Sequence, residues 1–321
     1  MRVLITGGGG FIGSHLSDFL VEKGDEVYVI DDFSTGNKKN ISHLESKLNF
    51  TLIEDSILNY GLMEYLIKQC DYVYHLAAAV GVKYIIENPL HTLETNIKGS
   101  EIVFSLAEKY KRKVFFASSS EVYGASEKKF FKEDDNRIYG STQKGRWIYA
   151  DSKAIDEFFA LSFYKEKGLP VVIGRLFNVV GPRQTGYYGM VIPNFVQQAL
   201  LNKPITVFGD GTQSRCFTHV SDVITAITDL MNSDKTIGEI FNIGSNNYIT
   251  IKDLAIKIKQ LTGSNSEIIY IPYKEAYGSD DFEDMYSRNP DLTKIKKFIN
   301  YEPKIDLDGI LNSIIEFFNK N

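Results

Sequence analysis

Apolar residues gather in short runs at 2–6, 26–30, 51–53, 72–76, 113–118 and 170–176, separated by amphipathic stretches near 12–23, 60–69, 92–110 and 148–167. Short runs bounded by polar turns read as strands, and longer stretches with apolar residues every three to four positions read as helices. The order is β-α-β-α. Several strand runs, such as Val27-Tyr28-Val29-Ile30 and Val171-Val172-Ile173, are continuously apolar, as parallel strands covered by helices on both faces must be. The pattern predicts an α/β fold with a Rossmann-type, doubly wound parallel sheet.

After about residue 177 the rhythm breaks, and loops such as Gly181-Pro182-Arg183 and Phe208-Gly209-Asp210-Gly211-Thr212 intervene. A smaller C-terminal α/β lobe is expected there. No Pro- or Ser-rich linker divides the halves, so the lobe should pack directly on the Rossmann domain and form a cleft with it. We assign 1–176 with about 215–244 to the Rossmann domain, and 177–214 with about 245–321 to a substrate-binding lobe.

Composition narrows the function. With 321 residues, 43% apolar and 24% charged, the chain is long enough for a sizeable core and is neither disordered nor fibrous. Its net charge of -5 and scattered basic residues give no footprint for nucleic acid and no polybasic membrane segment. The N-terminus enters a strand directly, without the pattern of a signal peptide, and no apolar stretch is long enough to span a bilayer. Cys70 and Cys216 lack disulfide or zinc spacing, so a reducing cytoplasm is expected. His15, His43, His75, His91 and His219 form no recognisable ligand pair, and no metal is expected. Asp280, Asp281, Glu283 and Asp284 read as a solvated acidic loop.

The first strand runs into Thr6-Gly7-Gly8-Gly9-Gly10-Phe11-Ile12-Gly13, which opens a helix. A pyrophosphate at such a point accepts hydrogen bonds from unpaired helix amides, provided that no Cβ blocks its approach. Two registers satisfy this: Gly8, Gly10 and Gly13, or Gly7, Gly10 and Gly13. Asp31, at the end of the second strand, suits a ribose diol and favours NAD over NADP, with Lys38 and Lys39 close in sequence. Asp55, after the third strand, is a candidate for the adenine edge.

Tyr149 and Lys153 lie four residues apart at the start of a helix and project from one face. A free tyrosine is a poor base at neutral pH, but a neighbouring ammonium and a positive nicotinamide favour its phenolate. Tyr149 would then take a proton from a substrate hydroxyl as hydride leaves the adjoining carbon. Ser118, Ser119 and Ser120 end the fifth strand and offer hydroxyls to share that proton.

These stretches, together with His75-Leu76-Ala77-Ala78, Ser118-Ser119-Ser120-Glu121-Val122-Tyr123-Gly124, Arg175-Leu176-Phe177-Asn178-Val179-Val180-Gly181-Pro182-Arg183 and Phe208-Gly209-Asp210-Gly211-Thr212-Gln213-Ser214-Arg215, resemble the extended short-chain dehydrogenase/reductases that act on nucleotide sugars. The resemblance runs almost end to end and implies bound NAD, oxidation at sugar C4 and later return of the hydride. It extends the NAD-contacting set to Phe11, Ile12, Asp32, Ser34, Gly36, Ser56, Leu76, Ala77, Ala78 and Ser118, and places Asn96 as a brace of the active site. It implies Ser119 as the catalytic serine, and Asn178, Val191 and Arg215 as contacts to the nucleotide sugar. Val80-Gly81-Val82-Lys83 and the loop from Gln184 to Met190 are expected against the sugar or its nucleotide. The family's habit of pairing helices implies a homodimer through 92–110 and 148–167.

A C4 ketone opens three outcomes. Glu121 resembles the glutamate of decarboxylases and dehydratases, which simple 4-epimerases do not need, while Ser120 stands where glucose-type dehydratases usually carry Asp. Arg146-Trp147-Ile148-Tyr149 and the stretch from Ala276-Tyr277-Gly278 through Phe282-Glu283-Asp284 to Arg288-Asn289-Pro290-Asp291 resemble UDP-glucuronate decarboxylases, with Arg288 at their active-site arginine. UDP-glucuronate decarboxylation is therefore placed first, 4-epimerisation of a UDP-sugar second and 4,6-dehydration third. A catalytically silent NAD-binding regulator is the alternative of another class, against which the intact Tyr149, Lys153 and Ser119 set argues.

Overall fold

The computed structural model describes residues 1–186, 190–272, 275 and 287–320. The apolar runs become strands β1 (Arg2–Thr6), β2 (Glu26–Asp31), β3 (Phe50–Glu54), β4 (Tyr72–His75), β5 (Lys113–Ser119) and β6 (Val171–Leu176). With Ile240–Ile243 as a seventh member they form one sheet in the order β3-β2-β1-β4-β5-β6-(Ile240–Ile243). Every pairing in it is parallel. Strand order reverses between β1 and β4, and ligands of such sheets bind at that switch point, beyond the carboxyl ends of the strands.

Both faces are covered, which is why the strands are apolar throughout. Leu16 and Leu20 of helix α1 (Phe11–Glu22) pack with Val223 and Ile227 of the helix Val220–Met231 on one side. Met63 and Leu66 of helix α2 (Tyr60–Gln69) pack with Phe104 and Ala160 on the other. The helix Ile148–Lys167, with the predicted limits, ends where Gly168 takes a left-handed φ of 72°, a conformation that glycine adopts without a Cβ penalty. The stretch predicted as one helix over 92–110 is instead a short helix Pro89–Leu93, a π-helical turn Glu94–Lys98 and a helix Gly99–Lys109. No helix among the described residues is long and apolar enough to cross a membrane.

A separate core, including Phe195, Val196, Ile205, Leu254, Ile258 and Ile314, holds the C-terminal lobe. Two boundaries differ from those expected. Arg215 and Cys216 lie in a small sheet in which Ser214–Cys216 pairs with Tyr248–Thr250 and Ser287–Arg288, because the chain turns away before rejoining the main fold at Val220. Leu292, Ile295 and Tyr301 pack into the main core rather than the lobe. Their apolar side chains close the flank of the sheet beside Phe241.

Candidate active site

A cleft of about 900 Å³ runs from the glycine loop, past the end of β5, to the C-terminal lobe. Gly7, Gly10 and Gly13 line it, whereas Gly8 does not. Gly7 has a φ of 73°, and a Cβ there would stand 2.7 Å from the Ala77 backbone nitrogen. A Cβ on Gly13 would collide with the Gly7 carbonyl, and one on Gly8 would meet Val29 at 2.5 Å. The glycines that line the cleft are thus Gly7, Gly10 and Gly13, while Gly8 packs against β2.

Asp31 ends β2 with its Oδ2 accepting from the Gly9 amide and its Oδ1 from the Phe33 amide, each at 2.8 Å. Burial pushes its carboxyl above the usual carboxylate range, while these amides oppose the shift. Each oxygen keeps a lone pair for a ribose hydroxyl. Lys38 pairs with Glu54 at 3.1 Å, which gives its charge a partner other than Asp31. Asp32, Ser34, Gly36, Asp55, Phe11, Ile12, Leu76, Ala77 and Ala78 line the same end of the cleft. Ser56 does not line it; its hydroxyl accepts from the Leu58 amide at 3.3 Å.

Asn96 does not line the cleft either. Its Oδ1 accepts from the Ala79 amide at 2.8 Å and its Nδ2 donates to Ser152 Oγ at 2.9 Å. With both ends bound to protein, it ties the loop after β4 to the catalytic helix.

The three serines at the end of β5 all line the cleft but differ in their partners. Ser118 donates to Glu157 at 2.5 Å, and Glu157 in turn holds Arg175 at 2.7 and 2.9 Å. Ser119 faces the cleft, hydrogen-bonds Tyr149, and accepts from the Glu121 amide at 3.2 Å. Ser120 is buried at the cleft wall. Tyr149 and Lys153 both line the cleft, with Lys153 Nζ over the Phe116 ring at 4.6 Å.

The expected lowering of the Tyr149 phenol pKa is absent from the protein's own electrostatics. Burial, then the Glu121 carboxylate, push it above its ordinary value, opposed by the Ser119 hydrogen bond. The Lys153 ammonium is pushed down by burial and held up by Asp156 and then Glu157.

Glu121 sits between two guanidinium groups. Arg288 Nη2 is 2.5 Å from its Oε1, and Arg146 Nη2 is 3.3 Å from its Oε2. All three side chains are largely buried at the cleft, with 15%, 12% and 7% exposure for Glu121, Arg288 and Arg146. Arg146 was not assigned a role from sequence; its place three residues before Tyr149 was the available signal. Arg288 is delivered by the strand Ser287–Arg288, in register beside Arg215.

Asn178, Val191 and Arg215 line the far wall. Asn178, at a left-handed φ of 37°, donates to the Cys216 carbonyl at 2.9 Å, and Arg215 Nη1 donates to the Ser214 carbonyl at 2.8 Å. Val191 begins the helix Val191–Leu200, whose first turn lines the cleft. Val80, Gly81, Gln184, Thr185 and Met190 also line it. Tyr187 to Gly189, Ala276 to Tyr286, including the acidic patch, and the side chains of Val82 and Lys83 lie outside the described residues.

A dinucleotide loop, a ribose acid and a Tyr-Lys pair around one substrate cleft define an extended short-chain dehydrogenase/reductase acting on nucleotide sugars. The chain belongs to the GDP-mannose 4,6-dehydratase family, whose model matches residues 4–314. It is 43% identical to the UDP-N-acetyl-α-D-glucosaminuronate decarboxylase of Bacillus cytotoxicus over 99% of this chain and 98% of that protein. It is 36% identical to UDP-glucuronic acid decarboxylase 1 of Xenopus tropicalis over 99% of this chain and 72% of that protein. UDP-glucuronic acid 4-epimerase of Bacillus cereus, solved with UDP-glucuronic acid and NAD, superposes with a TM-score of 0.89 at 29% identity, covering 100% and 99% of the two chains. The protein is an NAD-dependent enzyme of nucleotide-sugar modification.

Proposed function

We propose that the enzyme decarboxylates a UDP-linked hexuronate through a transient C4 ketone. The observation that carries this reading is the Glu121 carboxylate held between Arg146 and Arg288 beside Ser119 and Tyr149. UDP-glucuronate and its 2-acetamido counterpart are the candidates, and the greater similarity to the Bacillus cytotoxicus protein favours the acetamido form.

Gly7, Gly10 and Gly13, with Asp31 at the end of β2, would hold NAD, which when bound would supply the acceptor and later donor of the C4 hydride. Tyr149 takes the C4 hydroxyl proton, with Ser119 sharing it and Lys153 stabilising the phenolate. The C6 carboxylate then lies β to a ketone, so its C–C bond breaks with the electron pair delocalised onto the C4 oxygen. Tyr149 and Ser119 hydrogen-bond that oxygen. Arg288, exchanging part of its pairing with Glu121 for the substrate, orients the carboxylate. Carbon dioxide leaves and C5 is protonated, with Glu121 beside the proton's path, and as the C4 ketone is reduced again Tyr149 returns the proton to its oxygen, giving a UDP-pentose. Asn178, Val191 and Arg215 hold the nucleotide diphosphate on the lobe side.

The working unit we propose is a cytoplasmic homodimer. Ile155 and Phe158, 40% and 60% exposed on the helix Ile148–Lys167, supply an apolar face for a partner helix, and both cysteines are buried and unpaired. The deciding experiment is mass spectrometry and NMR of products from UDP-glucuronate, UDP-N-acetylglucosaminuronate, UDP-glucose and UDP-N-acetylglucosamine. Carbon dioxide with a UDP-pentose from a uronate supports the reading. An isobaric C4 epimer alone replaces it with 4-epimerisation, and a 4-keto-6-deoxy product with dehydration.

A further inference from the structure

Behind the reacting face of the helix Ile148–Lys167 lies a buried polar cluster that the reaction above leaves unassigned. Lys153 is 2% exposed, and burial works against its charge. Asp156, and then Glu157, offset that penalty. The two carboxylates are not equivalent. Glu157 is committed to the Arg175 guanidinium and the Ser118 hydroxyl. Asp156 is fully buried, and neither of its oxygens has a hydrogen bond of ordinary geometry. Burial pushes the Asp156 carboxyl up to about 7, opposed by Lys153, one turn before it on the same helix, and then by the Ser100 hydroxyl, while the Glu157 charge adds to the rise.

A chain of polar groups reaches the cluster from β1 and β4. The Ala77 amide donates to Thr6 Oγ1 at 3.2 Å, Thr6 Oγ1 is hydrogen-bonded to His75 Nδ1 at 2.8 Å, and His75 Nε2 to Ser100 Oγ at 3.1 Å. Burial keeps that ring neutral. The Ser100 hydroxyl in turn favours the ionised form of Asp156.

We propose that Asp156 is the positioning residue of the Tyr149–Lys153 pair, a buried counter-ion that keeps the Lys153 ammonium charged beneath the reacting phenol. The groups facing this pair are His75 from β4, Ser100 from the helix Gly99–Lys109, Phe116 and Ser118 from β5, and Arg175 from β6 through Glu157. Tyr149 and Glu157 face it from the same helix, and Glu121 acts on the phenol from the cleft. The inference rests on the Tyr149–Lys153 chemistry and deepens it.

The test compares the parent chain with Asp156→Asn and, as a smaller perturbation that spares the helix, Ser100→Ala. Reduction of bound NAD by the active UDP-sugar is followed at 340 nm against pH, and lysine 13Cε resonances of the dinucleotide-free chain are titrated, with Lys153→Met identifying the Lys153 signal. Asp156→Asn should move the alkaline limb, and the Lys153 titration with it, to lower pH by about one unit, with KM near that of the parent. Ser100→Ala should move both in the same direction by less. Titrations and limbs within about 0.2 unit of the parent in both variants overturn the proposal. So does an equal loss of rate at every pH with Lys153 titrating as in the parent, which assigns Asp156 to helix packing alone. A parent chain whose bound NAD is reduced by none of the UDP-sugars overturns the function instead, and the NMR arm still decides the role of Asp156.

Discussion

Arg288 Nη2 and Glu121 Oε1 stand 2.5 Å apart across the cleft, one delivered by the lobe's small sheet and the other by the exit of β5. The pair joins the two parts of the molecule beside Ser119 and Tyr149, at the proposed sugar site. Replacing Arg288 by Gln leaves Glu121 with Arg146 as its cation of this cluster. Turnover of a UDP-hexuronate should fall by on the order of 10²-fold or more, the usual result of removing one partner of a desolvated charge pair. Binding of a neutral UDP-hexose, followed by calorimetry, should change by less than about tenfold. Equal losses for charged and neutral sugars would assign Arg288 to the diphosphate.

Tyr149→Phe removes the group that accepts the C4 proton while keeping the ring. Turnover should drop by ~10²–10⁴-fold, with NAD binding, measured by fluorescence quenching, unchanged. Full activity would transfer the base role elsewhere.

Gly7→Ala places a Cβ 2.7 Å from the Ala77 amide nitrogen at a φ of 73°. The variant should purify without nucleotide and bind NAD at least about tenfold more weakly, because both backbone strain and the narrowed cradle act against the pyrophosphate. Gly61→Ala, in α2, is the control: its Cβ would have 4.0 Å of clearance to Asn59 Oδ1. That change should raise stability by ~0.5–1 kcal/mol.

His75 supplies a pH dependence. Burial, and then the Lys153 charge, push its folded-state pKa down to about 3, while the unfolded ring titrates near ~6.5. The unfolded chain therefore binds the extra proton first, and stability is lost as pH falls from about 6.5 toward 3. Denaturant midpoints measured at pH 7 and pH 5 should separate in the parent, and His75→Gln should narrow the gap. A wider gap in the variant would mean that the ring is charged in the folded chain.

The dimer face is tested by Phe158→Lys, a charge placed on a 60% exposed ring position. Light scattering should report a monomer at concentrations where the parent is dimeric. A parent that is itself monomeric removes the proposed interface.

Local pattern carried a large share of this molecule. The Gly7–Gly13 loop and the helix Ile148–Lys167 were readable because their signals are contiguous: glycines after an apolar run, and an apolar period closed by Gly168. What escaped was set by distance or by geometry finer than periodicity. Both glycine registers satisfy the spacing, and Val29 on the neighbouring strand excludes Gly8 from the cleft. Arg146 acquires meaning from Glu121, and Arg215 from Ser287–Arg288, through contacts that no window of sequence contains. Leu292 and Ile295 look like any lobe residues until the chain returns to the main core. The upward push of Glu121 on the Tyr149 phenol escaped for the same reason, since that carboxylate lies on another element.

The π-helical turn at Glu94–Lys98 adds a residue to the helical ladder where Asn96 leaves for Ala79 and Ser152. Such turns are rare and concentrate at functional sites. A one-residue deletion there would restore a regular helix yet swing Asn96 about 100° away from one of its two moorings. The backbone irregularity thus works as a splice: it lets one side chain lash the loop over the sugar to the helix that holds the base, so both keep a common frame while substrate enters and product leaves.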